Sequence, residues 1–584
     1  MQAPTFYEIV CKFSKRFPLR GKARDHELEE ALSFLEWRVG GEDVVNAARA
    51  ILILSFLISS FLLIKWFMPL LLLLPFLAYY AFLEYPKSKA RVKKMHYMAQ
   101  YIEALAQIMS YLKINPNLEV AILRSIHGLR GKLKRELEEI LRRASLSGNL
   151  KEELIRWSDS KGTVIRTSIY YVISSLSYGK KEERSYLLDR GFKLTLDSIL
   201  SEFKKFSKSI YFPVLIIFSL SSTIPFLLIS FTPFSAFFMS KGAQFFLLIS
   251  PFILLLIVWA ISSKLLEKRP LISFSSLPIP REMEERKLYF CLLVWFVIAF
   301  PGILSLINLL SSGRGLYLCM LIPMGLSIAF SLYHYLKVKD LIGVVRKNER
   351  MEEEILDFNY QLAMRVEGGR SVEEALSFYY TSFKHTEISK VMRRKMKLAK
   401  RLGLSLSEVF SKKLGDERRI LSSKVRVCLG ILKQNWKNSE MLTNMLLTIT
   451  QYYGELKKLE MEVRDMLRQV IGMMRITSVF LAPIICGLVI GINEMLIFLA
   501  QKTRLELGFN FFLLEASLHP EVLYLVIGMY LLCLSYLLLK LSTALEFGED
   551  KVRFSEAIYK SLPLTIFILL GSWIVTKWFF GVMI

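Results

Sequence analysis

Cysteine and histidine are scarce, six of each in 584 residues, and neither clusters. Cys11, Cys291, Cys319, Cys428, Cys486 and Cys533 make no CxxC or comparable close pair. A zinc site needs several such ligands at short spacing, and a disulfide framework needs paired cysteines, so the pattern argues against both. No GxxxxGKS/T phosphate loop occurs, which removes the usual cradle for a nucleotide. No Ser/His/Asp or Cys/His set is discernible either. The expectation is a protein without metal, cofactor or catalysis of its own. Alternation of apolar and polar residues over a strand length is also missing from the two large polar segments, 85–209 and 336–475.

What the chain has instead is apolar sequence, 53% of its residues, in runs long enough to cross a bilayer. A crossing needs about 20 residues as a helix. The first run, from about Ala48 to Leu83, carries Arg49 at its start and is broken within by Lys65. As one helix of roughly 36 residues it would extend about 54 Å against a hydrocarbon core of about 30 Å, so a tight hairpin at Lys65–Pro69 is expected. Further spans are expected at Ile210–Phe231, Phe245–Ile261, Leu288–Leu310, Leu316–Tyr335, Ile476–Ala500, Val522–Leu539 and Leu562–Ile584, about nine in all. More than 40 mostly polar residues precede the first run, which is unlike a signal peptide.

Acidic residues are outnumbered, 52 against 77 Lys and Arg, for a net charge of +25. The basic residues gather in five segments, 1–43, 85–209, 264–287, 336–475 and 540–560. The loops between carry only Lys65, Lys241, Arg314, Lys502 and Arg504. The positive-inside rule then places the N-terminus in the cytoplasm and the C-terminus outside a cell membrane. The expected order is a basic cytoplasmic segment (1–43), a hairpin (44–84), a helical bundle (85–209), two spans (210–263) and a linker (264–287). Two spans (288–335), a second bundle (336–475), two spans (476–540), a short loop (541–560) and a last span (561–584) follow. Prolines 270, 278 and 280 mark the linker as non-helical.

Both polar segments read as helical. Ile102, Leu105, Met109 and Leu112 recur at helical spacing, as do Leu137, Ile140, Leu141 and Ala144, and then Ile355, Phe358, Leu362 and Val366. Residues 368–376, GGRSVEEAL, open one such helix and resemble the start of a phosphate loop. A shift of 254 residues argues otherwise: it lays Glu103 on Asp357, Gln107 on Gln361, Glu119 on Glu373 and Ala121 on Ala375. Gly368 and Gly369 then overlie Ile114 and Asn115, with Pro116 next under Arg370, and these side chains and ring would keep an anion from the backbone amides. Ser371 with Glu374 forms a capping box signature, and Asn117 takes the cap position in the first copy. A weaker match aligns Asn149–Leu154 with Ser405–Phe410. The stretch turns a corner, and the chain is read as a parallel duplication of pair, bundle, pair, with one span left over.

Two basic helical bundles, each beginning helix, polar turn, capped helix and each leading into spans, resemble the type II secretion system F-domain. Two copies in one long chain resemble the archaeal branch of that family, the platform proteins of archaella and type IV-like pili. The resemblance runs from about 85 to 545. It implies a protein that couples a hexameric cytoplasmic secretion ATPase to the transfer of pilin or archaellin subunits from the membrane into a filament. ATP hydrolysis would belong to the partner.

Charge supplies candidate contacts for such a partner. Segment 85–209 holds 25 basic and 13 acidic residues, and segment 336–475 holds 28 and 18. The clusters Arg130, Lys132, Lys134, Arg135 and Arg393, Arg394, Lys395, Lys397, Lys400, Arg401 are the candidate ATPase contacts, with both bundles expected to engage. Anionic lipid is a second partner for the same charges, and a second copy of the chain a third. Nucleic acid is not expected, since aromatics are not interleaved with the charges. Glu494 is the candidate intramembrane group, with Lys577 the other charge inside a span. Gly487, Gly491 and Pro483 offer its helix a close-packing face, along which a pilin helix could slide. Two rival classes stand beside this reading. A secondary transporter could use a parallel repeat, but the spans lack mid-membrane polar groups for a substrate. A prepilin peptidase would need a GxGD signature, and Gly415–Asp416 follows Lys413–Leu414 instead.

Overall fold

The computed structural model describes residues 7, 10–11, 26–37, 39–66, 74–126, 129, 131–231, 241–270, 285–312, 317–411, 420–507, 520–548 and 550–583. Among these there are helices and no strand. The first part of the chain forms α1 (His26–Leu35), α2 (Gly41–Trp66), α3 (Leu74–Ile114), α4 (Leu118–Ile126), α5 (Lys132–Ser147), α6 (Leu150–Asp159), α7 (Thr163–Ser175), α8 (Lys181–Phe218), α9 (Ile224–Ser230) and α10 (Lys241–Glu267). The rest forms α11 (Glu285–Ser312), α12 (Leu321–Glu367), α13 (Val372–Ser382), α14 (Glu387–Leu402), α15 (Leu406–Ser411), α16 (Ser423–Asn435), α17 (Ser439–Ile476), α18 (Ala482–Leu507), α19 (Pro520–Phe547) and α20 (Lys551–Met583).

Seven helical stretches among the described residues are long and apolar enough to cross a membrane: Lys181–Ser230, Ile249–Glu267, Tyr289–Asn308, Leu318–Glu367, Ser439–Met495, Glu521–Phe547 and Lys551–Phe579. The protein is all-helical and has the make-up of a multi-pass membrane protein. The expected first hairpin falls on α2 and α3, which pack on each other, while its turn reaches into 67–73, outside the described residues. Prolines 278 and 280 of the linker also lie outside them.

Local chemistry explains where the short helices start. The Asn117 side chain accepts from the Val120 amide at 3.1 Å and Ser371 from the Glu374 amide at 3.2 Å, as their spacing predicts. The reciprocal bond of a capping box forms elsewhere, at Ser405, whose amide and hydroxyl both donate to Glu408 while Ser405 Oγ accepts the Glu408 amide at 3.4 Å. Glu374 turns instead toward Arg370, 4.0 Å away. Gly369, at φ 83°, turns the chain out of α12 in a conformation that disfavours other residues.

The polar segments pack through the apolar stripes already visible in sequence. Leu105, Met109 and Leu112 of α3 are fully buried, as are Phe358 and Leu362 of α12. Each such side chain contributes about 1.5–3 kcal/mol on burial. Two features differ from a pair of separate small bundles. The outer helices of each bundle run on into the apolar stretches without a loop, so 209/210 lies inside α8 and 335/336 inside α12. The two bundles also share one core. The rings of Phe192 and Tyr452 stand 4.3 Å apart, and the Tyr452 hydroxyl donates to Asp189 at 3.0 Å. Lys113 pairs with the same carboxylate at 2.5 Å, and Arg124 donates to Asn435 at 3.2 Å.

The N-terminal helix α1 is pinned to α3. Leu28, Leu32 and Leu35 are buried, while Lys94–Glu30 at 2.6 Å and Lys87–Glu27 at 3.4 Å hold its outer edge. It ends at Glu36, whose φ of 57° is strained for a residue with a Cβ.

A candidate docking helix and a paired intramembrane charge

Helix α14 carries the second basic cluster, and its periodicity sorts that cluster into two faces. Ile388, Val391, Met392 and Met396 are buried against the bundle. Lys395 lies on the same side, so it is withdrawn from the candidate contacts: it is 5% exposed, with its Nζ donating to the Val409 carbonyl at 3.4 Å and standing 5.0 Å from the Phe410 ring. The opposite side exposes Arg394, Lys397, Lys400 and Arg401. Lys390, which the cluster as read from sequence omits, is exposed too and completes a stripe with Arg394, Lys397 and Arg401. Spacings of four, three and four put these on one side of a helix, along about 16 Å. Arg393 is half-buried and donates to the Tyr380 carbonyl at 3.0 Å, tying α14 to α13.

The start of α14 is fixed to α12. Thr386 caps it, and the Glu354 carboxylate accepts the Ile388 amide at 3.0 Å. Glu387 pairs with Lys347 at 3.3 Å and with Lys390 at 2.7 Å. Partial burial would raise the Glu387 carboxyl, but donation by Lys390 and Lys347 outweighs it and holds the group below its ordinary value.

The first cluster meets a different environment. Arg130 lies outside the described residues. Lys132 donates to the Phe34 carbonyl at 3.3 Å and stands 4.2 Å from the Phe34 ring, and burial lowers its ammonium pKa. Arg135 pairs with Glu36 at 3.1 Å, and Lys134 with Glu138 at 3.6 Å. Further along α5, Arg143 pairs with Glu139. The described part of the cluster therefore fastens α1 and balances its own helix, and α5 presents mixed charge where the outer face of α14 is basic apart from Glu387, which pairs with Lys390 and Lys347.

Glu494 and Lys577, the two charges noted inside spans, meet each other at 3.6 Å. Glu494 also accepts from the Tyr524 hydroxyl at 2.6 Å. The pairing follows from a parallel contact of α18 and α20. An ideal Cβ on Gly487 would stand 1.8 Å from Ser572 Oγ, and one on Gly491 would stand 2.4 Å from Thr576 Cγ2. The glycine face is thus occupied by α20, which corrects the expectation that a pilin helix slides along it. Position 494 continues the same face one turn on, so the carboxylate meets Lys577.

Among the described residues no group of three or more His, Cys, Asp or Glu is placed to hold a metal ion. Comparison with family models, with curated proteins and with solved structures finds no match to this chain.

Proposed function

We propose that this protein is the membrane platform of a type IV pilus-like or archaellum assembly machine, a member of the F-domain family with two copies of the domain in one chain. It couples a cytoplasmic secretion ATPase to the transfer of pilin subunits into a filament and performs no catalysis itself. One observation carries the reading: the helix order from α3 to α9 recurs from α12 to α18. The capped helices α4 and α13 begin at Leu118 and Val372, 254 residues apart, and both ends of α8 fall on those of α17 when 258 is added. With the α2–α3 hairpin the seven apolar helices become nine spans, and the basic segments face the cytoplasm.

Within this reading the ATPase docks on α14 of the second bundle, because Lys132, Lys134 and Arg135 of the first cluster are held by Phe34, Glu138 and Glu36. Anionic lipid is a second contact for the basic segments. The test is electron microscopy of surface filaments in a deletion strain and in the complemented strain. Loss of one filament type, restored by the gene while pilin still accumulates in the membrane, is the expected result. Filaments persisting unchanged in the absence of a second copy would overturn it.

A further inference from the structure

Two five-residue π-helical turns interrupt the long helices within their apolar stretches: Ser219–Thr223 between α8 and α9, inside the stretch that begins at Ile210, and Thr477–Leu481 between α17 and α18, at the start of the one that begins at Ile476. The 258-residue shift that superposes the ends of α8 and α17 superposes these turns as well. Such a turn loosens the regular hydrogen-bond ladder and permits a local kink. Each turn receives one hydroxyl from outside, and both come from α19. Tyr530 donates to the Ser221 carbonyl, and Ser535 donates to the Ser478 carbonyl at 3.0 Å. The two donors are five residues apart, about 140° around the helix and about 7.5 Å along it. α19 therefore presents one donor to each half.

The surroundings differ in a telling way. Tyr530 is wedged edge-on between Phe226 and Phe252, at 6.4 and 6.0 Å. Ser222 and Thr477 return their hydroxyls to their own helices, to Phe218 at 2.7 Å and to Met473 at 2.8 Å. Ser221 Oγ is fully buried and has no hydrogen-bond partner among the described residues. A buried hydroxyl left unsatisfied in a widened turn is a group for which another local arrangement is better.

We propose that the two π-turns are a matched pair of hinges, latched by Tyr530 and Ser535, through which each bundle and the helix it continues into tilt relative to the apolar helix beyond the turn. α8 and α17 join bundle to span without a loop, so bending at the turn is transmitted whole. Lys181 lies about 60 Å along the helix from Ser221, and a 10° bend would carry it by about 10 Å. The hinges work in this way whichever partner loads the bundles.

The test uses the full-length protein in lipid nanodiscs with Cys533 replaced by serine. Spin labels at the exposed positions 204 and 227 straddle the first turn, and labels at 458 and 492 straddle the second. Tyr530→Phe should broaden the distance distribution across the first turn and speed amide exchange at 219–224 roughly tenfold, leaving the second turn unchanged. Ser535→Ala should do the reverse. Phe252→Leu thins the packing around Tyr530 but spares its hydroxyl, and should leave the first distribution narrow. No broadening in the two hydroxyl variants, equal broadening at both turns, or broadening by Phe252→Leu to the same extent would each overturn the proposal. Should Tyr530→Phe fail to assemble, the Ser535→Ala result alone decides.

Discussion

Gly487→Ala should destabilise this protein, although alanine is the better helix former. A Cβ at this position would stand 2.8 Å from the Leu569 carbonyl oxygen as well as 1.8 Å from Ser572 Oγ. A hydroxyl can rotate away, but the carbonyl is backbone, so relief requires α18 and α20 to separate along their parallel contact. Overpacking of this kind costs about 1–3 kcal/mol, and the alanine returns at most about 1 kcal/mol of helix propensity. The net loss is about 1–2 kcal/mol, a factor of about 5–30 in the ratio of folded to unfolded protein. Gly571→Ala on α20 is the matched control, because nothing lies within 4 Å of its Cβ. That variant should be neutral or stabilised by up to about 1 kcal/mol. Denaturation of the purified protein in mixed micelles, followed by tryptophan fluorescence, measures both. Midpoints moving in the same direction for the two variants would refute the close approach of α18 and α20. With it would go the explanation of why Lys577 reaches Glu494.

Reversing Lys390, Arg394, Lys397 and Arg401 to glutamate should weaken copurification of the secretion ATPase at least tenfold at physiological salt. High salt should shrink the difference, and reversing Arg142 and Arg143 on α5 should have little effect. Glu136→Gln removes the charged acceptor of Tyr97 at 2.6 Å, Trp157 at 3.1 Å and Lys161 at 2.9 Å, and should cost about 1–3 kcal/mol in a melting experiment. Burial raises the Glu136 carboxyl, but these donors outweigh it and depress the value below 4.5. Its contribution is therefore full above that pH and lost as pH falls through the depressed value, so wild type should lose stability on acidification more steeply than the variant. Glu103 is the opposite case: burial raises its carboxyl, against Ser423 and Lys424, and its Oε2 has no hydrogen-bond partner among the described residues. Glu103→Gln should thus be at least as stable as wild type at pH 8, with the advantage gone below about pH 4.5, where the carboxyl is neutral in both states. A variant clearly less stable at pH 8 would contradict this.

Helical stripes were legible because their spacing is a property of the chain alone. Ile102, Leu105, Met109 and Leu112 are buried as their periodicity predicts, and Asn117 and Ser371 cap where a polar side chain precedes a helix. The burial of Lys395 was legible too, since it follows Val391 by four and Met392 by three on the apolar side; reading the basic residues as a cluster hid it. The helices' passage through 209/210 and 335/336 was not, because composition changes at a bilayer boundary while the backbone ladder has no reason to break there. Nor was the Glu494–Lys577 pair, which depends on the register of two helices far apart in sequence. The same holds for Asp189, which serves Lys113 from its own half and Tyr452 from the other.

The two halves share a helix order and differ in where their charge goes, and this bears on how a ring could engage them. The proposed duplication pairs buried Glu103 with exposed Asp357, and ion-paired α5 with the basic face of α14. In the first half, the α5 cluster is turned toward α1 and toward acids of its own helix, while Lys204, Lys205 and Lys208 of α8 are exposed. In the second half, the stripe from Lys390 to Arg401 faces outward. Among the described residues the α14 cluster thus faces outward where the α5 cluster does not, so the two clusters named from sequence would not meet a partner as equivalent surfaces. Beneath the α14 face a sixfold ring would present one subunit at a time to that helix. The proposed platform would then be driven by successive contacts at that site. Charge reversal on α14 alone should for that reason abolish filament assembly, and an α5 reversal of the same size should leave filaments on the cell surface.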